Sequence, residues 1–160
     1  MPGVGSLSLV ELAGEGLDGS GPELKPILTL SIKGDNMGNK AVITTEEEKI
    51  GVYLNWNGGR DSVEAFLAVC DKLGHRKPEN DCYGWARLCQ VIANYFGGVH
   101  CIGIDRLECL DCDNKDNGMY IIKDWKIVGR KYFDDRTEQN EYDLNKMIVE
   151  IMDAQPQNDN

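Results

Sequence analysis

Histidine is scarce in this 160-residue chain, which carries only 2, and basic residues are a minority: 17 Lys and Arg stand against 27 Asp and Glu, a formal net charge of −10. Direct grip on a phosphate backbone needs Lys and Arg gathered on one surface, so this balance argues against a nucleic-acid-binding protein. No apolar run approaches the roughly 20 residues of a membrane-spanning helix. The opening stretch MPGVGSLSLVELAGEG lacks the basic start and long apolar centre of an export signal, so the expected protein is soluble and stays in the cytoplasm. No GxGxxG set between a strand and a helix occurs, and no GxxxxGK[ST], so the glycine-dense stretch 14–22 is expected to be a loop and not a phosphate cradle. No internal repeat is visible.

What is present fits one domain: 160 residues with 41% hydrophobic content can bury a real core. Six cysteines (Cys70, Cys82, Cys89, Cys101, Cys109, Cys112) without an export signal read as reduced thiols or metal ligands. Charge is uneven. Residues 1–50 hold 8 acids and 4 bases, residues 51–104 hold 5 of each, and residues 105–160 hold 14 and 8. An acidic surface favours basic partners, including proteins whose own basic grooves bind nucleic acid; acidic residues also serve simple solubility.

Apolar alternation over 6–12 and 27–32 predicts strands, and KGDNMGNK at 33–40 predicts turns before a β-prone run over 41–45. After Asn57-Gly58-Gly59, Asp61 and Glu64 have capping-box spacing, and Val63, Phe66, Leu67, Cys70 and Leu73 recur at helical spacing until Lys77-Pro78. A second helix is expected from Asp81 to Phe96, with Trp85, Leu88, Cys89, Ile92 and Phe96 on one face and Gly97-Gly98 closing it. Cys70 and Cys89 fall on these buried faces. Strands are expected over 99–104, 119–122 and 126–128, the last two joined by a tight turn around Lys123-Asp124. A final amphipathic helix, capped near Asp143, puts Leu144, Met147, Ile148 and Ile151 on one face.

The strongest chemical signal is Cys109-Leu110-Asp111-Cys112, since two thiolates two residues apart can meet one tetrahedral zinc from a single turn. The other ligands must come from elsewhere, and Cys82, His100 and Cys101 are the soft donors outside the helix cores, with Asp113 as an oxygen donor; a redox pair or ordinary loop thiols are the other readings. The run Asp111, Asp113, Asp116, Asn117, Gly118 is like a calcium loop only superficially, because Lys115 stands where an oxygen ligand belongs. His75, beside Arg76 and Lys77, reads as a surface histidine. Cys82 follows Asp81 at the start of a helix, where amide dipoles favour a thiolate. The stretch 82–104 with the hairpin 118–128 resembles the core of transglutaminase-like and papain-like cysteine enzymes. Near Asn117-Gly118, where that core carries its histidine, this chain has none, and His100 is the nearest substitute.

Residues 53–67 (YLNWNGGRDSVEAFL), 81–98 (DCYGWARLCQVIANYFGG) and 118–130 (GMYIIKDWKIVGR) resemble small proteins carried by phages and mobile elements of Gram-positive bacteria, among them zinc-containing anti-CRISPR inhibitors of type II-A systems. The resemblance implies a stoichiometric inhibitor in the bacterial host cytoplasm. It would bind the RNA-guided effector nuclease, on its recognition lobe, and hinder the loading of target DNA without touching nucleic acid itself.

The expected architecture is α+β in a single domain: an antiparallel sheet, two central helices, a C-terminal helix and a zinc-stabilised loop. Residues 1–50 are expected to be a β-rich extension, packed on or flexibly joined to a core over 51–154, with 155–160 a polar tail. Expected metal ligands are Cys109, Cys112, Cys82 and His100. Expected partner-binding residues are the acidic clusters Glu46, Glu47 and Glu48, and Asp134 and Asp135. The alternatives are a cysteine hydrolase or acyl transferase using Cys82, and an acidic interaction module with no metal.

Overall fold

Two short β-prone runs, AVITT and IGVYL, form strands β1 (Ala41–Thr45) and β2 (Ile50–Leu54) in a computed structural model that describes residues 39–96 and 102–157. The expected strands over 6–12 and 27–32, the glycine-dense loop, Gly97-Gly98, His100 and Cys101 lie outside the described residues. Beyond β2 come α1 (Arg60–Lys72), α2 (Cys82–Tyr95), β3 (Ile102–Arg106), a 3-10 turn (Leu107–Cys109), β4 (Met119–Lys123), β5 (Lys126–Lys131), a second 3-10 turn (Asp135–Thr137) and α3 (Leu144–Asp153). This is an α+β fold, and the described residues belong to one compact unit that begins at Asn39. No described helix is long and apolar enough to cross a membrane.

The five strands lie in the order β3-β2-β1-β4-β5. Three neighbouring pairs are antiparallel, but β1 and β4 run parallel, with Ile43 opposite Tyr120, so the sheet is mixed and not antiparallel as expected. The reason is chain routing. β2 doubles back from β1 as a hairpin, and the chain returns to the free side of β1 only after two helices, β3 and a long loop; such a connection permits parallel entry. The strand β1, placed by the expected division with the first fifty residues, is the middle strand of the sheet.

Ala41, Ile43, Val52, Leu54, Tyr120 and Ile122 face the helices and join Phe66, Leu67, Leu88, Val91, Ile92 and Ile151 in one core. Each buried valine, leucine, isoleucine or phenylalanine among them contributes roughly 1.5–3 kcal/mol of burial. Helix α1 is central, in contact with both α2 and α3. Phe66 sends its ring into the cluster of Tyr95 and Phe96, with centroids 5.8 and 6.5 Å away. Cys70 is buried and Cys89 half-buried, and burial pushes both thiols up, as expected of core residues.

The caps divide. Asp81 accepts from the amides of Tyr83 and Gly84 at the start of α2, and Asp143 accepts from Lys146 N at the start of α3, both at the expected positions. The Asp61–Glu64 capping box does not form: the N-cap of α1 is Gly59, without a side-chain cap. Gln139 Oε1 accepts from Asp61 N at 3.2 Å instead, and Glu64 is held by Arg60 Nε (2.7 Å) and Tyr142 Oη (2.8 Å). The β4–β5 turn is Asp124-Trp125, both at positive φ as in a type I′ hairpin, one residue beyond the expected turn. Gln155, in the expected polar tail, is buried: its amide donates to Val91 O and Ile151 O, and its oxygen accepts from Asn94.

One side chain ties these parts together. The Arg130 guanidinium lies 3.9 Å from the Tyr120 ring centroid and 3.7 Å from that of Phe133, pairs with Glu138, and donates to Asn117 O at 2.8 Å. Glu138 is shared with Arg60 at 3.1 Å, so α1, β5 and the segment leading to α3 meet at one charge network. Arg130→Ala removes two ring contacts, an ion pair and a carbonyl contact, and is expected to lower stability by about 3 kcal/mol. A urea titration reads this as a lower midpoint at unchanged slope. Arg130→Lys, which keeps the charge without the flat fork, should recover roughly half or less; a wild-type midpoint in Arg130→Ala contradicts the assignment.

Candidate partner-docking groove

The sheet face turned away from the helices is covered by the chain that follows β3. Leu107 and Leu110 lie directly on Gly51, where a Cβ would stand 2.8 Å from Leu110 Cδ1 and 3.0 Å from Leu107 Cδ1 and would push both leucine side chains aside. Val42 and Met119 are buried on the same face. Leu107 N donates to Lys49 O at 2.8 Å, which starts the crossing in register with the β1–β2 turn.

Asn114 organises the next stretch. It is 3% exposed; its Nδ2 donates to the carbonyls of Asp111 (3.1 Å), Cys112 (3.4 Å) and Gly118 (3.1 Å), and its Oδ1 accepts from the amides of Asp116 (3.1 Å) and Gly118 (3.0 Å). The calcium-like run is therefore a turn wound around one buried asparagine. Gly118, at φ +64, brings this turn against the main chain of Lys131 and Tyr132. Asp116 Oδ2 accepts from Lys40 N at 3.1 Å, and Asn117 donates to Lys40 O, which fastens the loop to the entry of β1.

Between this loop, the β1–β2 turn and the end of β5 runs an open groove of about 500 Å³. Leu107, Leu110 and Met119 supply apolar lining, Glu48, Glu108, Asp111 and Asp113 supply carboxylates, and Cys112 and Tyr132 complete it. Tyr132 is 57% exposed and held at φ +57, so a bare aromatic ring stands beside the acids. Three of the carboxylates have counter-ions: Glu48 with Lys131 (2.6 Å), Glu108 with Arg106 (2.6 Å) and Asp113 with Lys115 (3.1 Å). Exposed pairs of this kind contribute about 0–1 kcal/mol and are readily exchanged for a partner's cations. Asp111 has no ion pair among the described residues. Two neighbouring groups are shifted by burial and by nearby acids. Burial, then Asp111 and Asp116, push the Tyr53 phenol up, and burial, then Asp111 and Glu48, push the Cys112 thiol up.

The expected site residues fall as follows. Glu48 is in the groove, Glu47 pairs with Lys49 (3.3 Å), and Glu46 pairs with Lys123 (3.1 Å). The Lys131–Glu48 bridge brings this acidic turn to the strand that leads into Asp134 and Asp135, where Asp134 caps a 3-10 turn and pairs with Arg136 at 2.8 Å. Of the expected partner-binding acids, only Glu48 lines the groove.

The thiols are less gathered. Cys112 donates to Leu107 O at 3.9 Å and faces the groove, whereas Cys109 is exposed and accepts from Arg106 at 3.4 Å. Cys82, the exposed first residue of α2, opens onto a separate cavity of about 290 Å³ that also includes Glu47 and Trp85. Among the described residues, no three His, Cys, Asp or Glu side chains form a group that could hold a metal. The described thiols therefore do not by themselves make a four-ligand zinc site; His100 and Cys101, the other expected soft donors, lie outside the described residues.

Asn114 and Tyr132 were not singled out from sequence. The DNKDNG run carried a signal for the first, since asparagine commonly folds a turn onto its own side chain. Tyr132 had none, because its exposure depends on where Arg130 and Gly118 place the main chain.

The raised Cys112 thiol has a measurable consequence. In chelator-treated, metal-free protein with iodoacetamide in excess, its alkylation rate should climb with pH to a midpoint above the ordinary thiol value, and Asp111→Asn should move that midpoint down. Mass spectrometry of the peptide containing Cys112 reads both, and a midpoint at or below the ordinary value contradicts the burial and acidic surroundings assigned to this thiol. Comparison of the chain with protein-family models, with curated proteins and with solved structures finds no match.

Proposed function

We propose that the protein is a non-catalytic inhibitor that binds a basic surface of another protein, and that the partner is the RNA-guided effector nuclease of a type II CRISPR system. The observation that carries the binding half is the groove itself. It sets an exposed tyrosine and three leucine or methionine side chains among four carboxylates, the composition that receives Lys and Arg side chains through their charge and their apolar stems alike. The partner's identity rests on the resemblance of residues 53–67, 81–98 and 118–130 to anti-CRISPR proteins. An effector nuclease of this class carries basic channels for its guide and target, and a chain with formal net charge −10 is drawn to such channels. Binding at the recognition lobe would then exclude target DNA by occupancy.

Inhibition is expected to be stoichiometric. A cleavage assay at fixed nuclease, titrated with the protein, should break near one equivalent. Inhibition should weaken as salt rises, because exposed charges reach only about 8 Å at physiological ionic strength. Charge reversal at Glu48 and Asp111, and at Glu46, Glu47, Asp134 and Asp135, should slow association most, and Tyr132→Ala should speed dissociation. Cys82→Ser separates this reading from the cysteine-enzyme alternative, which draws on the exposed position of Cys82 at a helix start. Retained inhibition supports binding. Complete loss of cleavage at far substoichiometric protein, abolished by Cys82→Ser, would sink it.

Zinc belongs to the same proposal as a structural element and takes no part in any reaction step. Cys109 and Cys112 would hold the metal and tie the loop that roofs the sheet. Elemental analysis of purified protein should find about one zinc per chain, and removal with a chelator should lower the melting temperature, because metal binding contributes folding free energy. Cys109→Ala and Cys112→Ala should each lose both the metal and that stabilisation. Metal-free protein with unchanged melting in both variants removes zinc from the proposal and leaves the docking groove standing.

A further inference from the structure

We propose that the cavity between the end of α1 and the first turns of α2 is a site for the phosphate group of a small phosphomonoester, with the exposed ring of Tyr83 as the surface on which a nucleotide base stacks. The cavity measures about 400 Å³ and is lined by Gly74, His75, Arg76, Tyr83 and Arg87. In a chain of net charge −10 it is lined by no carboxylate. Two guanidinium groups, an imidazole and a phenol around one opening are the donor set that recognises a phosphate dianion.

The walls are positioned by contacts that leave these donors available. Gly74 ends α1 at φ +71 with no heavy atom within 4 Å of where a Cβ would stand, so the cavity floor is open. His75 N donates to Cys70 O, and His75 O accepts from the buried Trp125 Nε1, both at 3.0 Å. The last carbonyls of α1 are taken by main-chain amides of Leu73, Gly74 and His75, so the arginines are not needed to cap that helix. Arg87 makes no ion pair among the described residues, and one of its nitrogens rests on Gln90 at 3.1 Å.

Arg76 stands 5.0 Å from the Tyr83 ring centroid and pairs with Asp81 Oδ2 at 3.2 Å, an exposed pair that contributes little and can be exchanged. The other Asp81 oxygen is occupied by the amides of Tyr83 and Gly84, and Lys77 points to Asp124. Burial, then the nearby Arg87 charge, hold the His75 imidazole below its ordinary pKa. A phosphate would relieve that repulsion. The volume admits a phosphate with a single sugar and base, and the half-exposed Tyr83 ring lies at its edge. This site is independent of the docking groove.

Titration of the full chain with AMP, followed by calorimetry and by amide NMR signals of residues 74–87, tests the proposal. AMP should bind saturably at one site and more tightly than inorganic phosphate, with adenosine far weaker. Arg76→Gln and Arg87→Gln should each weaken AMP about tenfold at unchanged melting temperature, and Tyr83→Ala should reduce the preference for AMP over inorganic phosphate. The dinucleoside monophosphate ApA, which offers only a diester, should bind weakly. Absence of saturable AMP binding up to about 10 mM overturns the proposal, as does adenosine or ApA binding as tightly as AMP. Wild-type affinity in both arginine variants overturns it too.

Discussion

A guanidinium removed from water needs partners for its charge, and Arg130 draws them from two stretches of the chain, residues 117–120 and 133–138, while its buried Nε makes no hydrogen bond among the described residues. Its side chain is 9% exposed, with Tyr120 and Phe133 against its two faces, Glu138 at one nitrogen and the Asn117 carbonyl at another. Removing one partner of such a pair strands the other in a low-dielectric environment, which makes the arrangement close to all-or-none. The Tyr120 hydroxyl extends it by donating to the buried Gly58 carbonyl at 2.8 Å, beside the start of α1. Arg60 and Glu64 continue it to Tyr142. The segment between β5 and α3, largely exposed and short of apolar side chains, is held to the fold by this network and not by a core of its own.

The groove depends on that closure. With Arg130 fixed, the next two residues have little freedom, and Tyr132 takes a left-handed conformation that turns its ring outward while Phe133 turns in over the arginine. Gly118 accepts the main chain of Lys131 and Tyr132 against itself, and Lys131 reaches back to Glu48. The acidic turn, the CxxC loop and the exposed aromatic are thus neighbours because one buried cation aligns strands that are distant in sequence. The interior charge decides where these surface charges stand.

The helices were legible in sequence for local reasons. Asp81 as a cap, apolar residues at helical spacing from Trp85 to Ile92, and Asp143 ahead of Leu144 each act within a turn or two of the residues they govern. The type I′ hairpin was also nearly placed, its turn residues lying one step beyond the expected pair. What escaped was non-local. Strand β2 is a plain alternation, IGVYL, that abuts a run of glutamates and was hidden by the boundary drawn there. The α1 cap comes from Gln139, and the parallel partner of β1 from residues beyond a long loop. The CxxC spacing puts two thiols in one loop, and a spacing does not tell whether other donors converge on them. The groove was legible only in part: Glu48 stood in an expected acidic cluster, but Glu108, Asp111 and Asp113 join it through the close approach at Gly51, the hydrogen bonds of Asn114 and the left-handed turn at Gly118.

The parallel pairing of β1 with β4 also sets an order of events during synthesis. Strand β1 is among the first described elements to leave the ribosome, and its β2 side is satisfied at once by a local hairpin. Its other edge stays open until Met119–Lys123 has emerged, two helices and a strand later. Throughout that interval the nascent chain presents a strand edge without its native partner, the kind of surface on which strands of other chains add. Contacts of such sequence separation also slow folding. The central strand that gives the finished sheet its continuity is therefore the point at which an interrupted or truncated chain is most exposed to aggregation.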